Sequence, residues 1–207
     1  MQTRYFTTKM RKHSPNLQLI LASASPYRKM LLQRLTLPFT CISPDIDETP
    51  LPGEPADLLT LRLARLKAER VSQQHADAVV IGSDQVAGFD GKILGKPGSA
   101  DAAVAQLMAF CDNEVVFHTA VTVGLLSEQQ FLSEVVETTV RFRRFSEAEA
   151  QRYVAIDQPL DCAGGFKSEA AGPMLIQSIR SEDPTALIGL PLIMLCGMLR
   201  EVGLTLP

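Results

Sequence analysis

Between residues 17 and 28 an apolar run breaks into Ser23, Ala24, Ser25, Pro26, Tyr27 and Arg28, just where a helix should begin. Such a junction can hold an anion. The free N–H groups and positive dipole end of a helix attract phosphate, and Ser23, Ser25 and Arg28 would add hydroxyl donors and a two-pronged cation. The same residues also read as an ordinary helix start, with Ser25 as N-cap and Pro26 at the first helical position, and the segment alone favours that simpler role. Three further groups shift the balance: Gly82-Ser-Asp-Gln85, Gly95-Lys-Pro97, and Glu48 at the end of Asp45-Ile-Asp-Glu48.

The elements that must position these groups follow from the hydrophobic pattern. Residues 17–22 read as a buried strand, and 26–35 as a helix with Met30, Leu31 and Leu35 on one face. A short strand at 39–43 leads into a Pro-, Gly- and Asp-rich loop, 44–55, that carries the acids. A long helix is predicted over 56–73, with Leu59, Leu63 and Leu66 on one face and Arg62, Arg65 and Glu69 on another; periodicity alone puts Lys67 on a solvated face. Residues 78–82 form an apolar strand of the buried parallel type, whose exit delivers Ser83, Asp84 and Gln85 at the carboxyl end of a sheet. Asp90-Gly91 is the dipeptide of a tight hairpin, which would return Lys96 close to Asp84. A helix over 100–110, antiparallel strands over 114–126 and 130–143, and a capping box from Ser146 to Glu149 complete the readable part. Residues 187–199, interrupted by Gly189 and Pro191, read as a buried helix pair, too short to span a membrane.

The composition narrows the function. A chain of 207 residues, 46% of them apolar, can bury a full core, and a formal charge of −3 argues against a protein that coats nucleic acid. Cys41, Cys111, Cys162 and Cys196 lie far apart with no Cys-x-x-Cys pair, as expected in a reducing cytoplasm and not in a disulfide frame or zinc site. His13, His75 and His118 are isolated, so no histidine cluster competes for a metal. Residues 1–15 carry Arg4, Lys9, Arg11 and Lys12 with no acid and no following apolar stretch, and read as a flexible basic tail ahead of one domain over 16–207. The expected fold is α/β, a mixed twisted sheet flanked by helices, in two lobes with a central cleft.

In this order, Ser23-Ala-Ser-Pro-Tyr-Arg28, Asp47-Glu48, Lys67-Ala68, Ser83-Asp-Gln-Val86, Gly95-Lys-Pro97, Asp161-Cys-Ala-Gly164 and Gly189-Leu-Pro191 resemble the motifs of the Maf nucleotide pyrophosphatases. The resemblance runs from about residue 17 to 199 and implies a fold similar to that of the inosine triphosphate pyrophosphatases. It also implies a divalent-metal-dependent hydrolase, using magnesium or manganese, that cleaves nucleoside triphosphates between the α and β phosphates. Such chemistry needs a deprotonated water, a divalent cation and fixed cations for the leaving pyrophosphate. On that basis Asp84 is the expected general base. Glu48 and Asp84 are the expected metal carboxylates, and Ser23, Ser25, Arg28, Lys67 and Lys96 the phosphate-binding group. The partner implied is a small-molecule nucleotide, with neither nucleic acid nor membrane, and the resemblance also implies a homodimer. The apolar stretch 192–199 serves a dimer contact or core burial equally well.

Three positions depart from the commonest pattern of the family. Tyr27, Gln85 and Glu169 stand where pyrimidine-preferring members carry Arg, Thr and Gln, and the changed trio resembles the 7-methyl-GTP subfamily. N7-methylation gives guanine a positive charge, which an aromatic face and a carboxylate attract. Tyr27 would stack on the base, Glu169 would accept from its N1–H and exocyclic amine, and Gln85 would orient it. Each has a plainer role: Tyr27 covering the first helix, Gln85 capping a turn, Glu169 pairing with Lys167. Cys162 replaces a lysine found in many relatives, and Lys167 is the candidate to supply the missing charge. Another nucleotide (ITP, dTTP or UTP) is the rival substrate reading, and a non-catalytic nucleotide-binding regulator of cell division the rival class.

Overall fold

A computed structural model of the chain describes residues 17–207, so the basic tail read at 1–15 lies outside the described residues. Seven strands form one mixed sheet: β1 (Leu19–Leu21), β2 (Thr40–Cys41), β3 (Val79–Phe89), β4 (Lys92–Leu94), β5 (Glu114–Leu125), β6 (Gln130–Phe142) and β7 (Ile176–Ser181). Five α-helices accompany it: α1 (Pro26–Gln33), α2 (Ala56–Ser72), α3 (Ala100–Phe110), α4 (Glu147–Asp157) and α5 (Leu192–Glu201). The spatial order is β2-β1-β3-β5-β6-β7, with β4 added to β3. The pairs β1·β2 and β1·β3 are parallel, and the others antiparallel. The α/β mixed sheet read from the sequence is the fold found.

The long strands β3 and β5 run through two apolar cores. At one end Leu21, Leu31, Ile81, Val121, Leu195 and Leu199 pack together. At the other, Ala87, Leu107, Phe110, Phe117, Phe142 and Phe166 form an aromatic-rich cluster. Ile81 belongs to the first core and Ala87 to the second, so the residues between them lie where the two meet. The two-lobed expectation corresponds to this division.

Several local expectations change. The strand expected to stop at Gly82 continues to Phe89, because β5 pairs with it from Val79 to Gly88. Ser83, Asp84 and Gln85 are therefore mid-strand residues and not a loop at the sheet's carboxyl end. Met30 is exposed and Leu32 buried in its place on α1. Leu66 is partly exposed, and Lys67, which periodicity alone places on a solvated face, is buried. The helix pair read at 187–199 is a short 3-10 turn, Ala186–Ile188, followed by the single helix α5. Strand β7 had no clear alternation and went unread. Other features agree: Asp90 and Gly91 both have positive φ, as a primed two-residue hairpin requires, and Ser146 and Glu149 form the capping box.

Candidate active site

The site starts from a gap in the sheet. One edge of β3 is covered along its length by β5, while the other is covered by β1 only at Val79–Ile81 and by β4 only at Ala87–Phe89. The stretch from Gly82 to Val86 between them has no neighbouring strand on that edge, since β1 ends with Ala22 donating to the Ile81 carbonyl. Helix α2 closes over this gap at Gly82. A Cβ built there would lie 2.1 Å from the Ala64 carbonyl oxygen and 2.8 Å from the Ala68 amide nitrogen, so only glycine lets the helix come this near.

That close approach carries Lys67 inward. Its Nζ lies 2.6 Å from Oδ1 of Asp84 and 2.8 Å from Oε1 of Glu48, with Lys67 and Asp84 only 5% and 6% exposed. A buried ammonium is tolerated here because two carboxylates replace its lost hydration. Burial tends to raise the Glu48 carboxyl. The Lys67 hydrogen bond and the charges of Lys67, Lys96 and Arg28 outweigh it and hold the group below its ordinary value.

Glu48 stands on a loop, so something must fix that loop. Arg62, on α2, donates from Nε and Nη2 to both oxygens of Glu54 at 2.7 Å and from Nη2 to the Thr49 carbonyl at 3.1 Å. This bidentate clamp fastens the loop to the same helix that carries Lys67, and it holds the Glu54 carboxyl down at about 2. Arg62 and Glu54 are supporting residues that sequence reading missed; the signal was Arg62 at helical spacing from a loop carboxylate.

The first junction takes the plainer role read for it, that of a helix start. Ser25 is the N-cap of α1, with its Oγ accepting from the Arg28 N–H and Pro26 following, while the Ser23 Oγ accepts from the Ser25 N–H. Arg28 donates from Nε to the Gly189 carbonyl at 2.9 Å. Burial lowers the Arg28 guanidinium from its usual range, against the opposing pull of Asp84 and Glu48. Ser83 is fully buried and donates to the same Gly189 carbonyl at 3.0 Å, which makes it a structural hydroxyl.

Around these groups lies a cavity of about 970 Å³, at the upper end of the range for small-molecule sites. All ten of the predicted site residues line it: Ser23, Ser25, Tyr27, Arg28, Glu48, Lys67, Asp84, Gln85, Lys96 and Glu169. The trio Tyr27, Gln85 and Glu169 is more constrained than the sequence suggested. Gln85 does hold a turn: its Nε2 lies 2.9 Å from Thr119 Oγ1, 2.9 Å from the Ala186 carbonyl and 3.0 Å from the Leu187 carbonyl. Its Oε1 is the atom left for a ligand. Tyr27 donates to Asp161 Oδ1 at 3.4 Å, and the Lys167 ammonium lies 5.5 Å from its ring centroid. One face of the aromatic ring is thus already next to a cation. Lys167 is fixed by the Asp157 carbonyl at 2.7 Å, so the suggested Glu169–Lys167 pair is not formed; Glu169 instead accepts from Ser168 Oγ at 3.4 Å. Burial pushes the Cys162 thiol up to about 11, against the opposing influence of Tyr27.

The donor set constrains what ion could bind. Among the described residues no group of three or more His, Cys, Asp or Glu side chains could hold a metal. Two carboxylates nevertheless converge on one cationic atom, so the protein supplies a preformed place for positive charge with few ligands. That pattern fits a hard divalent cation completed by water and phosphate oxygens, and does not fit a closed structural zinc site.

The chain is 52% identical over 190 residues to a 7-methyl-GTP pyrophosphatase of Aromatoleum aromaticum, covering 92% of this chain and 98% of the relative. It is also 52% identical over 184 residues to a protein of that name from Ralstonia nicotianae, covering 89% and 95% of the two chains. A third, from Bordetella pertussis, is 52% identical over 190 residues, covering 90% and 93%. The family model described as Maf-like protein matches residues 18–202, and with the order of motifs around the Lys67–Asp84 pair it makes this chain a member of the Maf family.

Proposed function

We propose that this protein is a divalent-cation-dependent pyrophosphatase that hydrolyses 7-methyl-GTP to 7-methyl-GMP and pyrophosphate, keeping the modified nucleotide out of nucleic acid. The observation that carries the reading is the Lys67 ammonium held between Glu48 and Asp84 inside a cavity whose wall also bears Tyr27 and Glu169. The name of the relatives supplies the substrate.

In this reading the triphosphate lies against Arg28, Lys67 and Lys96, whose charges compensate the phosphate oxygens, with hydroxyl contacts from Ser23 and Ser25. Asp84 accepts a proton from the attacking water, whose oxygen bonds to the α phosphorus as the bond to the α–β bridging oxygen breaks. Lys67 fixes one oxygen of Asp84 and orients the carboxylate. Glu48 and Asp84 would hold the cation, which supplies neutralisation of charge developing on the phosphate oxygens. At the other end, Glu169 accepts from the guanine edge and Tyr27 contacts the methylated ring through the face that Lys167 does not approach. Asp161 and Glu169 leave the region net negative against Lys167, which favours a cationic base over a neutral one.

Pyrophosphate release from 7-methyl-GTP, GTP, ITP, dTTP and UTP in parallel, with magnesium and then manganese, tests this reading. Clear preference for 7-methyl-GTP supports it. Preference for another nucleotide keeps the reaction and removes the base assignment, and binding without turnover of any of the five removes the enzyme.

A further inference from the structure

Asp183 is a carboxylate only 1% exposed, and nothing in the reaction described above uses it. Its charge is answered by four donors and by a helix end, without a cation among the described residues. Oδ1 accepts from the Thr185 N–H at 3.1 Å and lies 2.7 Å from the Thr185 hydroxyl; Oδ2 accepts from the Ile193 and Met194 N–H groups at 2.7 and 3.3 Å. The Thr185 Oγ1 in turn accepts from the Leu192 N–H at 2.8 Å and lies 2.9 Å from the Leu190 carbonyl. Helix α5 follows Pro191, which offers no side-chain cap. Asp183 and Thr185 therefore cap the first three amides of α5 from outside the helix, and draw both ends of the 185–192 segment together.

The consequence lies inside that loop. Its carbonyls are the ones that the site side chains grip: Gly189 receives Arg28 and Ser83, Ala186 receives Gln85 and Thr119, and Leu187 receives Gln85. Gly189 has φ of +124°, a conformation that L side chains rarely adopt, and its carbonyl is aimed by the turn that Asp183 ties. A buried anion set directly against helix amides is costly to misplace, which makes this clamp stiff.

We propose that Asp183, with Thr185, is a positioning residue for the phosphate-binding guanidinium: it fixes the Gly189 carbonyl, and through it the direction in which Arg28 presents its charge to the triphosphate. This rests on the proposed role of Arg28 and not on which base is selected.

The test measures steady-state turnover of 7-methyl-GTP, together with calorimetric binding of inorganic tripolyphosphate, which has no base. Asp183→Asn puts an amide donor against backbone donors; it is expected to raise KM and the tripolyphosphate Kd about tenfold, with a smaller change in kcat. In an Arg28→Ala background the same substitution should cost less than about threefold, because the residue it positions is gone. Thr185→Ser should retain wild-type KM and Thr185→Val should reproduce the rise, which keeps the test informative where Asp183→Asn lowers the folded yield. Val154→Ala, on the buried face of α4, controls for stability: it should lower Tm without changing KM. If Asp183→Asn and Thr185→Val leave both constants unchanged, or if their effects multiply with that of Arg28→Ala, the proposal is overturned. So it is if wild-type protein does not bind tripolyphosphate. Tripolyphosphate binding that depends on Asp183, without turnover of 7-methyl-GTP, sustains the positioning role while removing the substrate reading.

Discussion

The ammonium of Lys67 lies 2.6 Å from the carboxylate of Asp84, although the two side chains belong to different elements and both are almost fully buried. Removing one member of such a pair leaves an uncompensated charge, at a cost of about 3–5 kcal/mol. Here the second carboxylate, Glu48, sharpens the effect. Lys67→Met should abolish most turnover, about 100-fold or more, as expected for loss of a group that orients the catalytic carboxylate. It should also leave two carboxylates facing each other without a cation, so Mn2+ binding measured by electron paramagnetic resonance in the absence of nucleotide should be tighter than in the wild type. Equal or weaker Mn2+ binding in the variant would show that Glu48 and Asp84 do not form a cation site.

Gly82 is where that pair depends on backbone geometry. An added Cβ would meet the Ala64 carbonyl and the Ala68 amide, both backbone atoms that cannot rotate aside. Gly82→Ala must push α2 off β3, costing about 1–3 kcal/mol by overpacking and drawing Lys67 away from Asp84. Thermal unfolding should show the loss of stability, and kcat of the folded fraction should fall further than stability alone explains. Unchanged kcat would separate the helix position from the chemistry.

The loop carrying Glu48 should come loose in acid within a definite window. The Glu54 carboxyl is held at about 2 by Arg62, below its ordinary 4.5. A depressed carboxylate contributes its attachment fully above pH 4.5 and loses it as pH falls toward 2. Limited proteolysis within residues 44–55 should therefore be slow above pH 4.5 and accelerate below it, using an acid-active protease. In Arg62→Ala the loop should be cut quickly at every pH. A wild-type cleavage rate independent of pH across that window would rule out the clamp.

Base selection separates Glu169 from Lys167. Glu169→Gln should reduce the preference for 7-methyl-GTP over GTP by about tenfold, since a carboxylate facing a cationic ring is replaced by a neutral amide. Lys167→Gln removes the cation beside the Tyr27 ring and should shift the same ratio in the opposite direction. Ratios of kcat/KM for the two nucleotides check both. Equal proportional losses on every nucleotide in Glu169→Gln would place that residue outside base recognition.

Much of this site was legible in one dimension because its parts have local signatures. Ser25-Pro26 is an N-cap followed by a first-turn proline, Asp90-Gly91 supplies the two positive φ angles that a primed two-residue hairpin requires, and Ser146 with Glu149 closes a capping box. Periodicity failed at Lys67. A helix pattern weighs a lysine as solvated, and only the partners brought by another strand and a loop make its burial favourable. It failed again at Ser83–Gln85, because the strand's extension to Phe89 is decided by pairing with β5, a segment distant in the chain.

The sequence by itself determined the mixed α/β class through its hydrophobic pattern and, through the resemblance of its ordered motifs to a family, pointed to the ten residues that line one cavity. Tertiary structure alone decided how those residues are used. The gap between β1 and β4, the approach of α2 at Gly82, the Arg62 clamp on the acidic loop and the Asp183 tie behind Gly189 all join segments distant in the chain. Their physical reason is shared: a buried charge or polar group must find a partner, and which partner it finds depends on packing that no local pattern encodes.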